Sequence, residues 1–387
     1  MTRETRMKRI TRMTQKVHNT GNLLFKRKIM KKYICIILTS AIFAALISGC
    51  SPKTMESGNT TSPAQTTETA ETVGAAEATE VPPGYSPSEL EPATIRLGGL
   101  RGPTSMGMVK LLKDAWHGDS YNTYEFSLAG SADEITPKLI NGELDIAAVP
   151  ANLASIIYNN SGGIIKLLAI NTLGVLYIVE NGDTVISLAD LEGKTIYATG
   201  RGSVPEYVLR YLLFENSIDP DNDVNIEWKS EPTEVVSLMA LEQGGIAMLP
   251  QPYVVVAQGA IDDLRIAADL TKEWEALDNG SMLITGVLVV RSDFADEHPD
   301  QITRFLEEYR ASTEFVNANI SEAAILSEEF DIIKAAIAEE ALPFCNIVFY
   351  AGEDMKNAMG GYLQVLFDQN QQSVGGSLPD DSFYYGA

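Results

Sequence analysis

The chain has 387 residues, 45% of them hydrophobic and 21% charged, with 29 Lys+Arg against 52 Asp+Glu and a formal net charge of −23. Residues 1–49 hold 11 of those cations and 1 of the acids, so the other 18 cations and 51 acids give the remainder −33. An excess of that sign argues against nucleic acid as a partner, because gripping a phosphate backbone needs a basic footprint. It says little about the sign of a small ligand, whose site sets its own local field.

Residues 1–29 are basic with no apolar period. They read as an overlong start or an extended leader, with Met30 as the expected initiator, and they contribute nothing to the fold. Lys28, Lys31 and Lys32 then precede an apolar run from Tyr33 to Ile47. That run is short of the roughly 20 residues that span a bilayer as a helix. A basic start, a short apolar core and small residues at the end make residues 30–49 a secretory signal. The ending Ile47-Ser48-Gly49-Cys50 resembles a bacterial lipobox. The resemblance implies that Cys50 becomes the first mature residue and carries acyl chains, palmitate among them. They would anchor the protein to the outer face of the bacterial cytoplasmic membrane, the periplasmic side in a Gram-negative cell. One chain alone binds membranes weakly, so stable anchoring needs more than one.

Of the 3 cysteines, Cys35 leaves with the signal, Cys50 is the anchor and Cys345 stands alone. With Cys50 acylated, no disulfide is expected. The histidines beyond the signal are His117 and His298, too few for a Cys/His metal site. Neither metal nor cofactor is expected. Residues 50–92, rich in Thr, Ser, Ala, Glu and Pro, cannot bury enough apolar surface to offset chain entropy. They read as a disordered tether with a root-mean-square reach of roughly 35 Å.

Order is expected from about Ala93. The pattern predicts strands over 94–100, 124–130 and 144–150, alternating with helices at 103–116, 131–142 and "NLASIIYNN". Ser131 and Glu134 have capping-box spacing, and Pro137 implies a kink or a short helix. "IIKLLAINTLGVLYIVE" (164–180) reads as one long strand. This β-α-β rhythm defines residues 93–180 as the first part of a lobe with a mainly parallel, helix-covered sheet.

Residues 181–281 form a second unit of the same pattern: a strand at 195–199, a Gly-bearing turn, and a helix opened by Ser203, Pro205 and Glu206. Further strand and helix signals follow through "LRIAADL". "MLITGVLVVRSDF" (282–294) is a second long apolar strand. The two long strands flanking the inserted unit are expected to cross between lobes. Residues 282–387 then return to the first lobe, with helices in "HPDQITRFLEEYRASTEFVNAN", "SEAAILSEEFDIIKAAIAEEAL" and "GEDMKNAMGGYLQVLFDQN". The tail "FYY" is expected to staple the terminus onto a lobe.

"LADLEGKTIYATGRGSVPEYVLRYLL" (188–213), "GGIAMLPQPYVVVA" (244–257), "VVRSDFADEHPDQITRFLEEY" (289–309) and "GGSLPDDSFYY" (375–385) carry a family likeness. Through them the chain resembles type II periplasmic solute-binding proteins, and is similar to the SsuA/THI5-like (NMT1) branch of ABC-transporter substrate-binding lipoproteins. The family usually has Asp where this chain reads Gly245-Ile246-Ala247. The resemblance implies an α/β fold of two lobes joined by two crossover strands as hinge. It implies a small-molecule ligand held between the lobes and delivered to an ABC permease, and a monomer. Ligands of the branch include alkanesulfonates, taurine, nitrate and thiamine-pyrimidine precursors.

In open α/β sheets, ligands sit outside the carboxyl ends of the strands. Those ends here carry Arg101, Thr104, Ser105, Gly130, Ser131, Asn152 and Asn171 in the first lobe, and Gly200, Arg201, Ser203 and Gln251 in the second, with Tyr207 one turn into its helix. Helix starts offer unpaired N–H groups, glycines let backbone approach, and arginines pair with anionic oxygens. Each has a structural reading beside the functional one. Ser131 and Ser203 suit helix caps, Asn152 a turn, Asn171 a buried amide, Tyr207 and Tyr253 core packing, and Arg101 and Arg201 solvated loop charges. A lipid-tethered sensor of the same ligands fits the same residues. An enzyme does not: the THI5-like enzymes carry clustered cysteines and a catalytic His, and G-x-S-x-G with a placed His is missing too. No catalytic residue is assigned.

Overall fold

A computed structural model describes Glu91–Ala387 apart from Gln243; the leader, Cys50 and nearly all of the tether lie outside the described residues. Eleven strands form two sheets among these residues. They are β1 (Thr94–Leu100), β2 (Thr123–Ala129), β3 (Ile146–Pro150), β4 (Ile165–Leu173), β5 (Leu176–Asn181), β6 (Thr195–Ala198), β7 (Asn225–Trp228), β8 (Gly245–Pro250), β9 (Leu264–Asp269), β10 (Ile284–Arg291) and β11 (Ile347–Tyr350).

The first sheet has the order β11-β4-β10-β3-β1-β2, the second β7-β6-β8-β5-β9. In the first, β1 pairs in parallel with β2 and β3, whereas β10 runs against both β3 and β4, and β11 against β4. In the second, β6 is parallel to β7 and β8, and β5 runs against both β8 and β9. Both sheets are thus mixed: β1, β2, β3 and β4 run alike with β10 and β11 reversed, β6, β7, β8 and β9 run alike with β5 reversed, and β5 and β10 each lie beside a crossing of the chain. Helices Ala132–Ile140, Ala151–Ser161, Pro299–Ala318 and Gly352–Gln369 pack with the first sheet's strands and neighbouring helices. Helices Val204–Glu215, Pro232–Glu242, Tyr253–Ala260 and Leu270–Ala276 belong to the second lobe. Ile146–Val149 of β3 is wholly buried, as expected of a strand covered on both faces.

The crossings differ from the sequence expectation. Residues 164–180 are two strands, not one: β4 ends in the first sheet at Leu173 and β5 opens the second at Leu176. Gly174 and Val175 make the passage. A Cβ on Gly174 would lie 2.1 Å from Thr271 Oγ1 and 2.9 Å from Leu283 Cδ2, so only bare backbone fits. The return passage is 277–283, between helix Leu270–Ala276 and β10, and β10 itself stays in the first sheet. The apolar run conceals the break because β4 and β5 are buried along nearly their whole length.

Two helices also split. Residues 103–116 form Pro103–Met106 and Val109–His117, parted at Gly107, where a Cβ would meet Ile347 Cγ2 and the Tyr309 hydroxyl, each at 3.0 Å. The segment "SEAAILSEEFDIIKAAIAEEAL" breaks into Ile320–Glu329 and Ala335–Ala341, around Asp331 in the left-handed region at φ 57°. Strand β11 lies in a stretch to which the sequence pattern assigns no element.

The largest apolar cluster takes Ile170 and Val287 from the first sheet and Ile178, Ile196 and Met248 from the second. Trp274, fully buried, stacks at a tilt on Tyr211 (4.9 Å) and Tyr362 (5.7 Å). Its indole N–H donates to Ser281 Oγ at 3.1 Å. The tail docks as anticipated. Phe383 is buried 5.0 Å from the ring of Tyr158, and Tyr385 N donates to Leu167 O at 3.0 Å.

Candidate functional site

At the end of β1 the chain turns through Arg101 and Gly102 (φ 129°) into the one-turn helix Pro103–Met106. The Arg101 guanidinium pairs with Asp331, through its carboxylate at 3.3 Å and through its carbonyl oxygen. Both side chains are largely exposed, so the pair adds little stability. Arg101 lines an inter-lobe cavity of about 310 Å³ with Thr233 and Tyr253 of the second lobe and Glu328, Asp331 and Lys334 of the first. Burial pushes the Tyr253 phenol pKa up; Glu231 adds to this and Arg101 opposes it.

Thr104 and Asn171 are joined: Asn171 Nδ2 donates to Thr104 O at 3.1 Å, and Thr172 Oγ1 donates to Asn171 Oδ1 at 3.1 Å. A Cβ on Gly286 would fall 2.4 Å from Thr104 Cγ2 and 2.8 Å from Asn171 Oδ1. This is a closed structural clip linking the ends of β1, β4 and β10. Ser105 is different. It is fully buried, lies over Gly99, and its hydroxyl has no hydrogen-bond partner.

At the end of β2, Gly130 faces across the lobes: a Cβ there would lie 3.8 Å from Glu231 Oε1 and 3.3 Å from Glu134 Oε1. Ser131 precedes helix Ala132–Ile140, but its side chain does not cap it, so the capping box read from spacing is absent. After β3, Asn152 Nδ2 donates to Ser373 O at 3.1 Å while its buried Oδ1 has no partner.

In the second lobe Gly200 takes φ 82°, and a Cβ would lie 2.6 Å from Pro205 Cγ. Arg201 is exposed and makes no hydrogen bond or ion pair among the described residues. Ser203 is again not a cap. Its hydroxyl donates backward to Gly200 O at 2.8 Å, and Glu206 accepts from Gly202 N at 2.7 Å in its place. Tyr207, its phenol pKa raised by burial first and by Glu206 next, lines a separate cavity down the flank of its helix. Gln251, 2% exposed, donates its backbone N–H to Val175 O at 2.9 Å, and its side-chain Oε1 has no partner.

The predicted residues therefore gather at strand ends in both lobes, but in different states. Asn171, Thr104 and half of the Asn152 amide are spent on structure. Ser105, Gln251 and the Asn152 carbonyl hold buried polar atoms with nothing bound to them. Sequence reasoning missed Glu231, Thr233, Glu328, Asp331 and Lys334. The last three lie where a single helix was read, and no Gly or Pro marks the break. Among the described residues no His/Cys/Asp/Glu group is arranged to hold a metal, and no helix is long and apolar enough to cross a membrane.

Two mixed sheets, with the reversed strands β10 and β5 beside the passages between lobes and with polar strand ends, define a two-lobed binding-protein fold. Residues 122–331 match the family model of the ABC transporter, phosphonate, periplasmic substrate-binding protein, and the chain belongs to that family. A search of curated proteins finds no match. Solved structures agree in fold. An ABC transporter protein from Parabacteroides distasonis is 24% identical over 75% of this chain and 98% of its own, with a TM-score of 0.63. The alkanesulfonate-binding protein SsuA of Xanthomonas axonopodis pv. citri, bound to MOPS, is 15% identical over 75% and 96%, with a TM-score of 0.59. The nitrate-binding protein NrtA of Synechocystis is 14% identical over 68% and 75%, with a TM-score of 0.52. The solute-binding class and the SsuA-like fold expected from the sequence are borne out.

Proposed function

We propose that the protein captures a small oxyanion, a sulfonate, phosphonate or nitrate-like solute, between the two lobes and delivers it to an ABC permease. In this reading it acts as a monomer, with no catalytic step. A lipidated Cys50 and the tether of residues 50–92 hold it at the outer face of the membrane. Lobe closure over the solute buries both of its faces.

The observation that carries the reading is the set of unpaired buried polar atoms at strand ends in both lobes: Ser105 Oγ and Asn152 Oδ1 in the first, Gln251 Oε1 in the second. Leaving such an atom unsatisfied costs about 1–3 kcal/mol. Ser105 Oγ, as a hydroxyl, can donate to an anionic oxygen. Asn152 Oδ1 and Gln251 Oε1 suit a solute's hydroxyl or N–H, and the amide N–H₂ of Gln251 suits its oxyanion. Arg201, free of any partner among the described residues, supplies a fork of donors at the mouth.

Calorimetric titration of residues 91–387 with methanesulfonate, taurine, methylphosphonate, nitrate and an aminopyrimidine tests it. Saturable binding of one oxyanion, weakened at least tenfold by Arg201→Ala, is the expected result. Binding of the aminopyrimidine alone would move the ligand to the thiamine-precursor class. Binding of none would remove the capture reading.

A further inference from the structure

A second cavity lies away from the strand ends. It encloses about 670 Å³ along the flank of helix Val204–Glu215, running from Tyr207 down to the 217–223 loop that leads into β7. That loop lies at the opposite end of the second sheet from Gly200 and Gln251. The far wall comes from the first lobe, where helix Gly352–Gln369 ends at Asp368 and Gln369. Its size falls within the range of small-molecule sites.

Tyr207 and Phe214 sit seven residues apart, on one face of the helix, and both line the cavity. Phe214 is 66% exposed, an apolar surface left without cover. The polar groups are unequal. Arg210, the cavity's cation, is held by both carboxylate oxygens of Asp221 at 2.7 Å, so its charge is spent. Asp368 has a neutral partner only, the amide of Gln364 at 2.8 Å. Next to it Gln369 Oε1 is shielded from solvent and accepts no hydrogen bond. Two aromatic faces, an uncompensated carboxylate and an unfilled acceptor all ask for the same occupant: a donor bearing positive charge on an apolar body.

We propose that this flank cavity is a second binding site, for a small organic cation of the arylalkyl- or alkylammonium type. Its ammonium group lies against Asp368 and Gln369 Oε1, and its apolar body lies on Tyr207 and Phe214, where burial of apolar and aromatic faces adds to the charge pairing. Because its walls come from both lobes, an occupant bridges them.

The test uses residues 91–387 and benzylamine, with benzoate as a probe of the same body and opposite charge, read by calorimetry and by two-dimensional NMR. Benzylamine is expected to bind saturably and shift the signals of helix Val204–Glu215 and of Asp368–Gln369, while benzoate does neither. Phe214→Ala and Asp368→Asn are surface changes that leave the fold intact, and each is expected to weaken benzylamine at least fivefold. Equal binding of benzoate, unchanged affinity in both variants, or shifts confined to the strand ends would overturn the proposal.

Discussion

Asn346 Nδ2 donates to the carbonyl of Gly174 at 2.6 Å, and the backbone of Asn346 accepts from Leu173 N at 3.0 Å. One residue of the first lobe thus grips both sides of the point where β4 leaves the first sheet. The next carbonyl, Val175 O, is taken by Gln251 N of the second lobe at 2.9 Å. The passage between lobes is held from both ends, and Gln251 is both a hinge contact and a candidate ligand contact. Asn346 itself sits at φ 44°, a conformation Asn tolerates better than most residues. Asn346→Ala loses the bond and strains the backbone, and should cost about 2–3 kcal/mol. Asn346→Gly removes the same side chain without the strain, and should cost less. Urea unfolding of the two variants separates the terms.

Gly174 is enclosed by Thr271 and Leu283. Gly174→Ala should lower stability by about 1–3 kcal/mol, the range for overpacking. Thr271→Ala removes the nearer atom, so the double variant should recover part of that loss. A double-mutant cycle by thermal or urea unfolding measures the coupling; additive effects would mean that the two side chains do not meet.

Acid sensitivity has an identifiable source in the second lobe. Glu180 is 3% exposed. Burial pulls its pKa up, but hydrogen bonds from Thr184 Oγ1 (2.6 Å), Val185 N (3.1 Å) and Thr184 N (3.0 Å), with Arg265 beside it, win and hold it below the ordinary value. The unfolded group titrates near about 4.3. Its stabilisation is therefore complete above that pH and is lost as pH falls through the lower, folded pKa. Glu180→Gln should cost about 2–3 kcal/mol at neutral pH and flatten the acid limb of the stability curve. Unfolding free energies measured between pH 3 and pH 7 provide the check.

Cys345 is fully buried, and burial pushes its thiol pKa up, away from the reactive thiolate. In the native protein a maleimide should leave it unlabelled over hours, whereas in denaturant it should react at once. Mass spectrometry of the two samples distinguishes them.

Much of the fold was readable from pattern alone. The buried run of β3 and the docking of Phe383 and Tyr385 follow from burial and apolar spacing. The break at Gly174 was not readable. Residues flanking it are apolar because both strands are buried, so no change of period marks the passage. Spacing misled at the helix starts. Ser131 and Glu134, like Ser203 and Glu206, have the separation of a reciprocal cap, yet Ser203 turns its hydroxyl to Gly200 O. Spacing permits a bond, and the turn before the helix decides whether it forms. The candidate site was half legible. Strand ends named Ser105, Asn152 and Gln251, but which of their atoms stay unpaired depends on neighbours far away in sequence, such as Ser373. Nothing local distinguishes Asp331, whose left-handed backbone ends a helix without Gly or Pro.

The most direct measurement is a crystal structure of residues 91–387 with the oxyanion that binds most tightly. The account predicts the anion between the ends of β1 and β3 on one side and β6 and β8 on the other, within hydrogen-bond distance of Ser105 or Gln251 and facing Arg201. An anion bound elsewhere, or a ligand-bound structure in which Ser105 Oγ and the Gln251 side chain remain unpaired, would contradict it.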